Sequence, residues 1–329
     1  MGIRYLNRVL RENCLDSIQC IHLSDLSGKN IVIDTSIYLY KYESEEALLE
    51  NFYVMLSLFR YYNIIPIFIF DGKPPPEKRA LLIKRKDDRE DALEEYNNLK
   101  YRLESDDDKL NYSDKKNIIN SMDLLKKQFV QINKDKIEKV KSLIRAYGAT
   151  YYDAPGESDE LCALLVIKKK VWACLSEDMD LFVYGCTRVL RYLSLLSHSV
   201  VLYSMKGILE ELHMEQKEFK EICVLSGTDY NINSDCQTGR GFINLNNTLK
   251  YFRKFKESKS HLSFYEWLHL TTNYISDFEL LDKINNMFDL NKKNIESFQH
   301  FTKNIKIMNG PIILNEVKNI MKEEDFIFV

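Results

Sequence analysis

At 329 residues, 45% hydrophobic and 29% charged, the chain has room for one large domain or two modest ones and the make-up of an ordinary soluble protein. Its longest apolar runs, such as Ile64 to Phe70, are strand-length, which excludes a membrane-spanning helix, and an amino terminus with Arg4, Arg8 and Arg11 spread through it lacks a signal peptide's apolar centre. The formal net charge of −3 speaks against a nucleic-acid binder, since such domains are commonly basic, unless acids are concentrated at one site. Setting aside the seven candidate acids below turns the balance positive.

In chain order, Lys29 to Asp34 predicts a buried strand ending in an acid, followed by a helical stretch from Ser36 to about Tyr62. The next predicted strand, Ile64 to Phe70, ends in Asp71-Gly72, so a βαβ unit delivers an Asp from both strands at the same end. One Asp after a strand is commonplace as a turn or cap residue; two in succession, with the later acids, are harder to dismiss. Pro74, Pro75 and Pro76 then turn the chain. A long charged segment runs to about Gln131, with Lys78, Arg79, Lys84, Arg85, Lys86 and Arg89 in its first part, a polar turn at Asp106 to Asp108, and helix propensity again from Ile118 to Val130. It reads either as a solvated, partly disordered insertion or as a basic helical gate beside the acidic sheet edge, able to hold phosphates.

Lys134 to Tyr147 predicts a helix closed by Gly148, and Thr150 to Tyr152 a short strand. Pro155 and Gly156 break the chain just before a helix with Leu161, Leu164, Leu165 and Ile167 at helical spacing, which puts Glu157 and Asp159 in its first turn. Val171 to Leu175 is a short apolar strand, so Asp178 and Asp180 emerge at its carboxyl end, where open α/β sheets put their sites. Either pair alone also fits a plain role, complementing a helix dipole or capping the next helix. Together they conflict: at an effective dielectric of about 20, two charges about 4 Å apart repel by roughly 4 kcal/mol. Such a cluster needs cations to persist ionised.

Lys168 to Lys170 are a solvated helix end, and Arg188 to Leu193 and Ser199 to Tyr203 are β-rich runs. Glu215 to Ser226 predicts an amphipathic helix leading to Gly227-Thr228-Asp229-Tyr230, where a seventh acid stands. The turn Thr238-Gly239-Arg240-Gly241-Phe242 opens a helix from about Asn246 to Lys256 that carries Lys250, Arg253, Lys254 and Lys256. Glycines opening a helix permit close approach of a phosphate, although a lone Gly-x-Gly is more often a plain turn. Residues 257–329 have helical patches and aromatic residues without readable chemistry and are expected to pack on the core. The seven cysteines (14, 20, 162, 174, 186, 223 and 236) are scattered and include no Cys-x-x-Cys pair, which predicts reduced thiols and no zinc site.

These strings resemble the flap endonuclease family, the XPG-like structure-specific 5′ nucleases. Met1-Gly2-Ile3 is similar to its processed amino terminus, Ile33-Asp34-Thr35-Ser36 to its first acidic motif, and Phe70-Asp71-Gly72-Lys73-Pro74-Pro75 to its most recognisable string. Ala154-Pro155-Gly156-Glu157-Ser158-Asp159, Glu177-Asp178-Met179-Asp180 and Leu225-Ser226-Gly227-Thr228-Asp229-Tyr230 follow in family order. The resemblance implies an α/β fold of PIN-like, 5′ nuclease type: a twisted, mainly parallel sheet flanked by helices. It would carry a helical arch at about 76–131 and a helix-two-turn-helix element at about 229–256, within a nuclease core of 1–256 and a helical extension of 257–329. It also implies two Mg²⁺ ions, with Mn²⁺ as substitute, the first served by Asp34, Asp71, Glu157 and Asp159 and the second by Asp178, Asp180 and Asp229. Lys78 and Arg85 match arch residues on the scissile phosphate and Tyr40 an aromatic at the junction. Gly2, Gly239, Gly241, Lys250, Arg253 and Lys254 would contact DNA.

The implied activity is hydrolysis near single-strand/duplex junctions of branched or flapped DNA, without sequence readout, by a monomer in a reducing compartment, whether nucleus, cytoplasm or a viral replication site. A silent junction-binding scaffold, or an enzyme of RNA or four-way junctions, stands as the alternative; intact carboxylates argue against the scaffold. Three departures qualify the resemblance. Asp159 stands where the family has Glu, one methylene shorter. The spacing from Asp229 to Gly239 is long and Phe242-Ile243-Asn244 lacks the usual Gly-x-Gly-Pro run, which leaves the K⁺ site that the family often carries there open. The final residues, Lys322 to Val329, hold an aromatic pair but no Gln-led box, so sliding-clamp binding is not supported.

Overall fold

The structure, a computed structural model, describes residues 3, 5–105, 111–230, 245–272, 274–275, 277–324 and 326–327. In chain order its elements are α1 (Leu6–Asn13), β1 (Ile18–His22), β2 (Asn30–Asp34), α2 (Thr35–Ser44), α3 (Leu48–Tyr61), β3 (Ile65–Phe70), α4 (Arg79–Ser105), α5 (Tyr112–Lys126), α6 (Lys134–Ala146) and β4 (Thr150–Asp153). There follow α7 (Ser158–Ile167), β5 (Ala173–Leu175), α8 (Asp180–Val183), β6 (Arg188–Ser194), β7 (Ser199–Ser204), α9 (Met205–Leu212) and α10 (Gln216–Ser226). The last five are α11 (Leu245–Ser258), α12 (Phe264–Thr271), α13 (Phe278–Met287), α14 (Lys292–Asn304) and α15 (Leu314–Lys322).

Ile31, Val32 and Ile33 are apolar without a break because β2 is covered on both faces, as a central parallel strand must be. Val32 joins the core with Ile67, Cys174, Leu165 and Phe182, while Ile31 and Ile33 join Phe68, Phe52, Leu143 and Ile144, the two-residue alternation of a strand. The seven described strands form one sheet in the order β1-β7-β6-β5-β2-β3-β4. The pairs β2/β3, β2/β5, β3/β4 and β5/β6 are parallel, and β1/β7 and β6/β7 antiparallel, so the mainly parallel expectation holds with an antiparallel edge.

From β2 the chain winds one way to β3 and β4, then returns through α7 to place β5 on the other flank of β2. The strand order therefore reverses between β2 and β5, and the crevice outside their carboxyl ends is where such sheets bind ligands.

Several expectations need correction. The single helix predicted from Ser36 to Tyr62 is two, because Glu46 takes φ +56° between α2 and α3. Glu157 is the residue just before α7 rather than inside its first turn. Three elements carried no expectation: α1, which buries Leu6, Val9 and Leu10, β1, an edge strand whose residues are half-buried or exposed, and α9, which buries Met205 and Ile208.

The charged segment folds as a helical hairpin, α4 against α5, with Tyr96 edge-on to Phe129 at 5.4 Å and Lys126 bound to Glu46 at 3.4 Å. Its predicted polar turn at Asp106 to Asp108 lies outside the described residues. The carboxyl-terminal helices pack on the core, α14 on α7 and α15 on α6. Gly148 lets this happen: it takes φ +66°, and a Cβ there would stand 2.6 Å from the Gly310 carbonyl carbon.

Candidate active site

Each acid is delivered by the end of an element. Asp34 closes β2, Asp71 follows β3, Glu157 and Asp159 open α7, Asp178 follows β5, Asp180 opens α8 and Asp229 follows α10. The string after β3 lies directly on the Ala154-Pro155-Gly156 segment. Gly72 donates its N–H to the Gly156 carbonyl at 2.7 Å, and a Cβ at Gly72 would fall 2.1 Å from the Ala154 oxygen. Only glycine fits that contact, which brings Asp71 to the start of α7.

Two buried hydroxyls join the acids. Ser158 Oγ donates to one Asp34 oxygen and Ser176 Oγ to the other, both at 2.9 Å, and the Ser158 N–H donates to Asp71 Oδ1 at 2.8 Å. Ser176 Oγ also accepts from the Asp178 N–H at 3.0 Å, and Asp178 Oδ1 accepts from the Asp180 N–H at 3.0 Å. Serine thus does what a third carboxylate could not: it bridges like charges without adding one.

The acids act on one another. Burial first, then the charges of Asp71 and Asp178, push the Asp34 carboxyl up to about 7. Burial likewise raises Asp159 and Asp180 well above the carboxylate range, with Glu157 and Asp178 adding to the first and Asp178 and Asp229 to the second. All seven predicted acids therefore belong to one electrostatic cluster.

Two arch cations enter it. Lys78, 8% exposed, binds Glu157 Oε1 at 2.8 Å, and its ammonium lies 5.2 Å from the centre of the Tyr230 ring, whose hydroxyl donates to Glu157 Oε2 at 3.3 Å. Burial pulls the Lys78 pKa down, but Asp159, Tyr230 and Glu157 more than reverse it. Arg85 binds Asp229 Oδ2 at 3.0 Å.

Hard carboxylate oxygens are the donors that a divalent cation such as Mg²⁺ takes, and Asp180 Oδ1 is buried with no hydrogen-bond partner, a costly state unless something else meets it. Yet among the described residues no three acidic, His or Cys side chains surround one point closely enough to hold an ion as they stand. Glu157 and Asp229 are turned to Lys78 and Arg85 instead. The fit is one of donor chemistry and position, not of a closed cage.

Of the other predicted site residues, Tyr40 is half exposed and lines a cavity of about 410 Å³ with Asp71, Lys134 and Lys141. Lys250, Arg253 and Lys254 are exposed on α11, which packs against α10 and α1 rather than forming the acidic rim. Gly2, Gly239 and Gly241 lie outside the described residues. Ser158, Ser176 and Tyr230 were not foreseen, although each stands inside or beside a recognised acidic string.

The XPG N-terminal domain model matches residues 1–92 and the XPG I-region model residues 148–229. Flap endonuclease 1 of Drosophila yakuba is 30% identical over 248 residues, covering 70% of this chain and 60% of that protein. Flap endonuclease 1 of Meyerozyma guilliermondii is 27% identical over 288 residues, covering 82% and 71%. The chain thus spans less than two thirds of the Drosophila relative. The catalytic core of Rad2 in complex with a DNA substrate superposes with a TM-score of 0.64 at 18% identity, covering 98% of this chain and 94% of that one, a likeness of fold. With both XPG regions in order, the sheet of that fold and the acids of both regions drawn to one edge, the chain belongs to the XPG family.

Proposed function

We propose that the chain is a divalent-metal-dependent, structure-specific 5′ nuclease that hydrolyses phosphodiester bonds at single-strand/duplex DNA junctions, in replication, repair or recombination. The observation that carries this reading is the convergence of seven acids from five stretches of sequence on one sheet edge, under two cations from the arch. Asp34, Asp71, Glu157 and Asp159 would hold one Mg²⁺, and Asp178, Asp180 and Asp229 a second, with Mn²⁺ able to replace them. Such a pair supplies an activated water, a clamp on the phosphodiester and countercharge for the leaving oxygen.

The chain's own groups do the rest. Ser158 and Ser176 hold Asp34 with both oxygens bonded. Lys78 and Arg85, paired with Glu157 and Asp229, are placed to exchange those carboxylates for phosphate oxygens and so to favour the transition state's extra charge. Tyr40 offers a ring to a base beside Asp71. Lys250, Arg253 and Lys254 offer the duplex backbone sequence-independent charge. A K⁺ site would fall in residues 231–244, outside the described part of the chain.

Purified protein with Mg²⁺ and a panel of flap, nicked, bubble, four-way and RNA-containing substrates tests the reading. Cleavage is expected on 5′ flaps, and Asp178→Asn is expected to lose it while still binding flap DNA in Ca²⁺. A wild-type protein inert on the whole panel, or an active Asp178→Asn variant, would reject the assignment.

A further inference from the structure

Behind the Asp178 turn lies a network that contains none of the seven acids. β6 carries an irregularity between Arg191 and Ser194, and Tyr192 within it takes φ +56°, a conformation that a bulky residue adopts only when its surroundings impose it. Arg191, 5% exposed, donates from one terminal nitrogen to Asn7 Oδ1 at 2.8 Å and from the other to the Glu177 carbonyl at 2.9 Å. That second nitrogen also stands 3.5 Å from Glu177 Oε2, while the Tyr192 N–H donates to Oε1 of the same carboxylate at 2.6 Å.

Asn7, on α1, completes the set. It accepts from the Tyr203 hydroxyl at 2.9 Å and donates to the Tyr192 hydroxyl at 2.7 Å. The guanidinium lies over both rings, 4.9 Å from Tyr192 and 5.6 Å from Tyr203. All three of these Asn7 amide bonds thus serve to aim Arg191 or to hold the rings beneath it.

The target of that aim is the main chain one residue before Asp178. Ser176 grips the same turn from the other side, bonding both Asp34 and the Asp178 N–H. A carbonyl bonded to a buried guanidinium cannot rotate without losing a charge-assisted bond. A purely stabilising role is a poorer account, because Arg191 Nε is buried without a partner and an apolar side chain would fill the space at lower cost.

We propose that Arg191, oriented by Asn7, is a positioning residue that sets the Glu177–Asp178 turn, so that docking of α1 is coupled to the divalent-cation site formed by Asp178 and Asp180. The inference rests on the reading of those two acids as metal ligands; Arg191 itself meets neither ion nor substrate.

Arg191→Met, Asn7→Ala and the double variant, each checked for a wild-type circular dichroism spectrum, are titrated with Mn²⁺ by electron paramagnetic resonance without DNA. Arg191→Met is expected to bind Mn²⁺ about tenfold more weakly, the scale seen for second-layer groups around metals. Asn7→Ala should show a smaller loss, and the double variant no more than Arg191→Met alone, because the two act in series. On flap DNA kcat is expected to fall with KM within about twofold. Folded variants that melt earlier yet keep wild-type Mn²⁺ affinity would overturn the proposal, and Asn7→Ala decides it where Arg191→Met does not fold. A wild-type protein that binds Mn²⁺ but cleaves no junction would reject the nuclease reading and leave this inference standing; one that binds no Mn²⁺ rejects both.

Discussion

Asp34 shows how burial and neighbouring charge act together on a single side chain. Its carboxyl is pushed up to about 7 by burial and by Asp71 and Asp178, against the hydroxyls of Ser176 and Ser158, which pull it down. A raised acid means that the folded chain keeps a proton that the unfolded chain has lost. The stability linked to this group is therefore complete below the ordinary carboxylate range and disappears as pH rises through about 7. A divalent cation held by Asp34, as proposed, would compete with that proton. Mn²⁺ affinity is expected to rise from about pH 6 to about pH 8 with proton release on binding, which calorimetry in buffers of different ionisation heat reads directly. Affinity indifferent to pH, with no proton released, would remove Asp34 from the ion's surroundings. At this scale the acids were legible in the sequence because they stand at the ends of apolar strands, at the start of an apolar helix or, for Asp229, beyond a helix end. The serines that bind them were not, since a hydroxyl leaves no periodic signal and its role exists only once β2, β5 and α7 are neighbours.

The arch brings two cations onto the acids. The resemblance implies that Lys78 and Arg85 face a phosphate; in the structure they pair with Glu157 and Asp229. Replacing both by Ala is expected to slow single-turnover cleavage by about 100-fold or more, with far less loss of duplex binding. Equal losses in rate and binding would mark them as a general electrostatic surface. Lys78 alone gives a second prediction. Breaking a buried ion pair costs about 3–5 kcal/mol, less where the orphaned acid can take a proton, so Lys78→Met is expected to melt earlier in EDTA and to recover part of the loss with Mn²⁺. Calorimetry that finds the same deficit with and without Mn²⁺ would show that the lysine and the ion do not compete for one set of acids. The hairpin itself was only half legible: its composition fits a solvated insertion as well as a gate, and only the structure shows α4 folded against α5 with its base on the acids.

Across the whole molecule, function depends on strand order. Placing β5 beside β2 sets Ser176 and Asp178 next to Asp34 although some 140 residues separate them in the chain, as the Ser176–Asp34 bond spans 142 positions. The carboxyl-terminal segment braces the far side of this sheet, where Gly310 donates to the Gly148 carbonyl at 2.8 Å and Phe326 packs 5.3 Å from Tyr53. Gly148→Ala combines a left-handed backbone with a contact too short for any Cβ and is expected to cost about 1–3 kcal/mol. Urea unfolding measures this, and an unchanged midpoint would mean that the segment is not bound there.

The amino-acid sequence by itself determined which residues are acidic and that apolar strands deliver Asp34, Asp71 and Asp178, because burial on both faces of a parallel strand and the break at its end are local demands on residue type. It also marked Gly148 as the close of a helix and Pro74 to Pro76 as the place where the chain turns after β3. Only the tertiary structure decided that the acids meet, that Lys78 and Arg85 fold onto them, and that Arg191 and Asn7 hold the Asp178 turn from behind. Those contacts join elements far apart in sequence, and no local pattern records them: a guanidinium in an exposed strand and one sealed against a carbonyl are spelled with the same residue, and the difference is made by what packs around it.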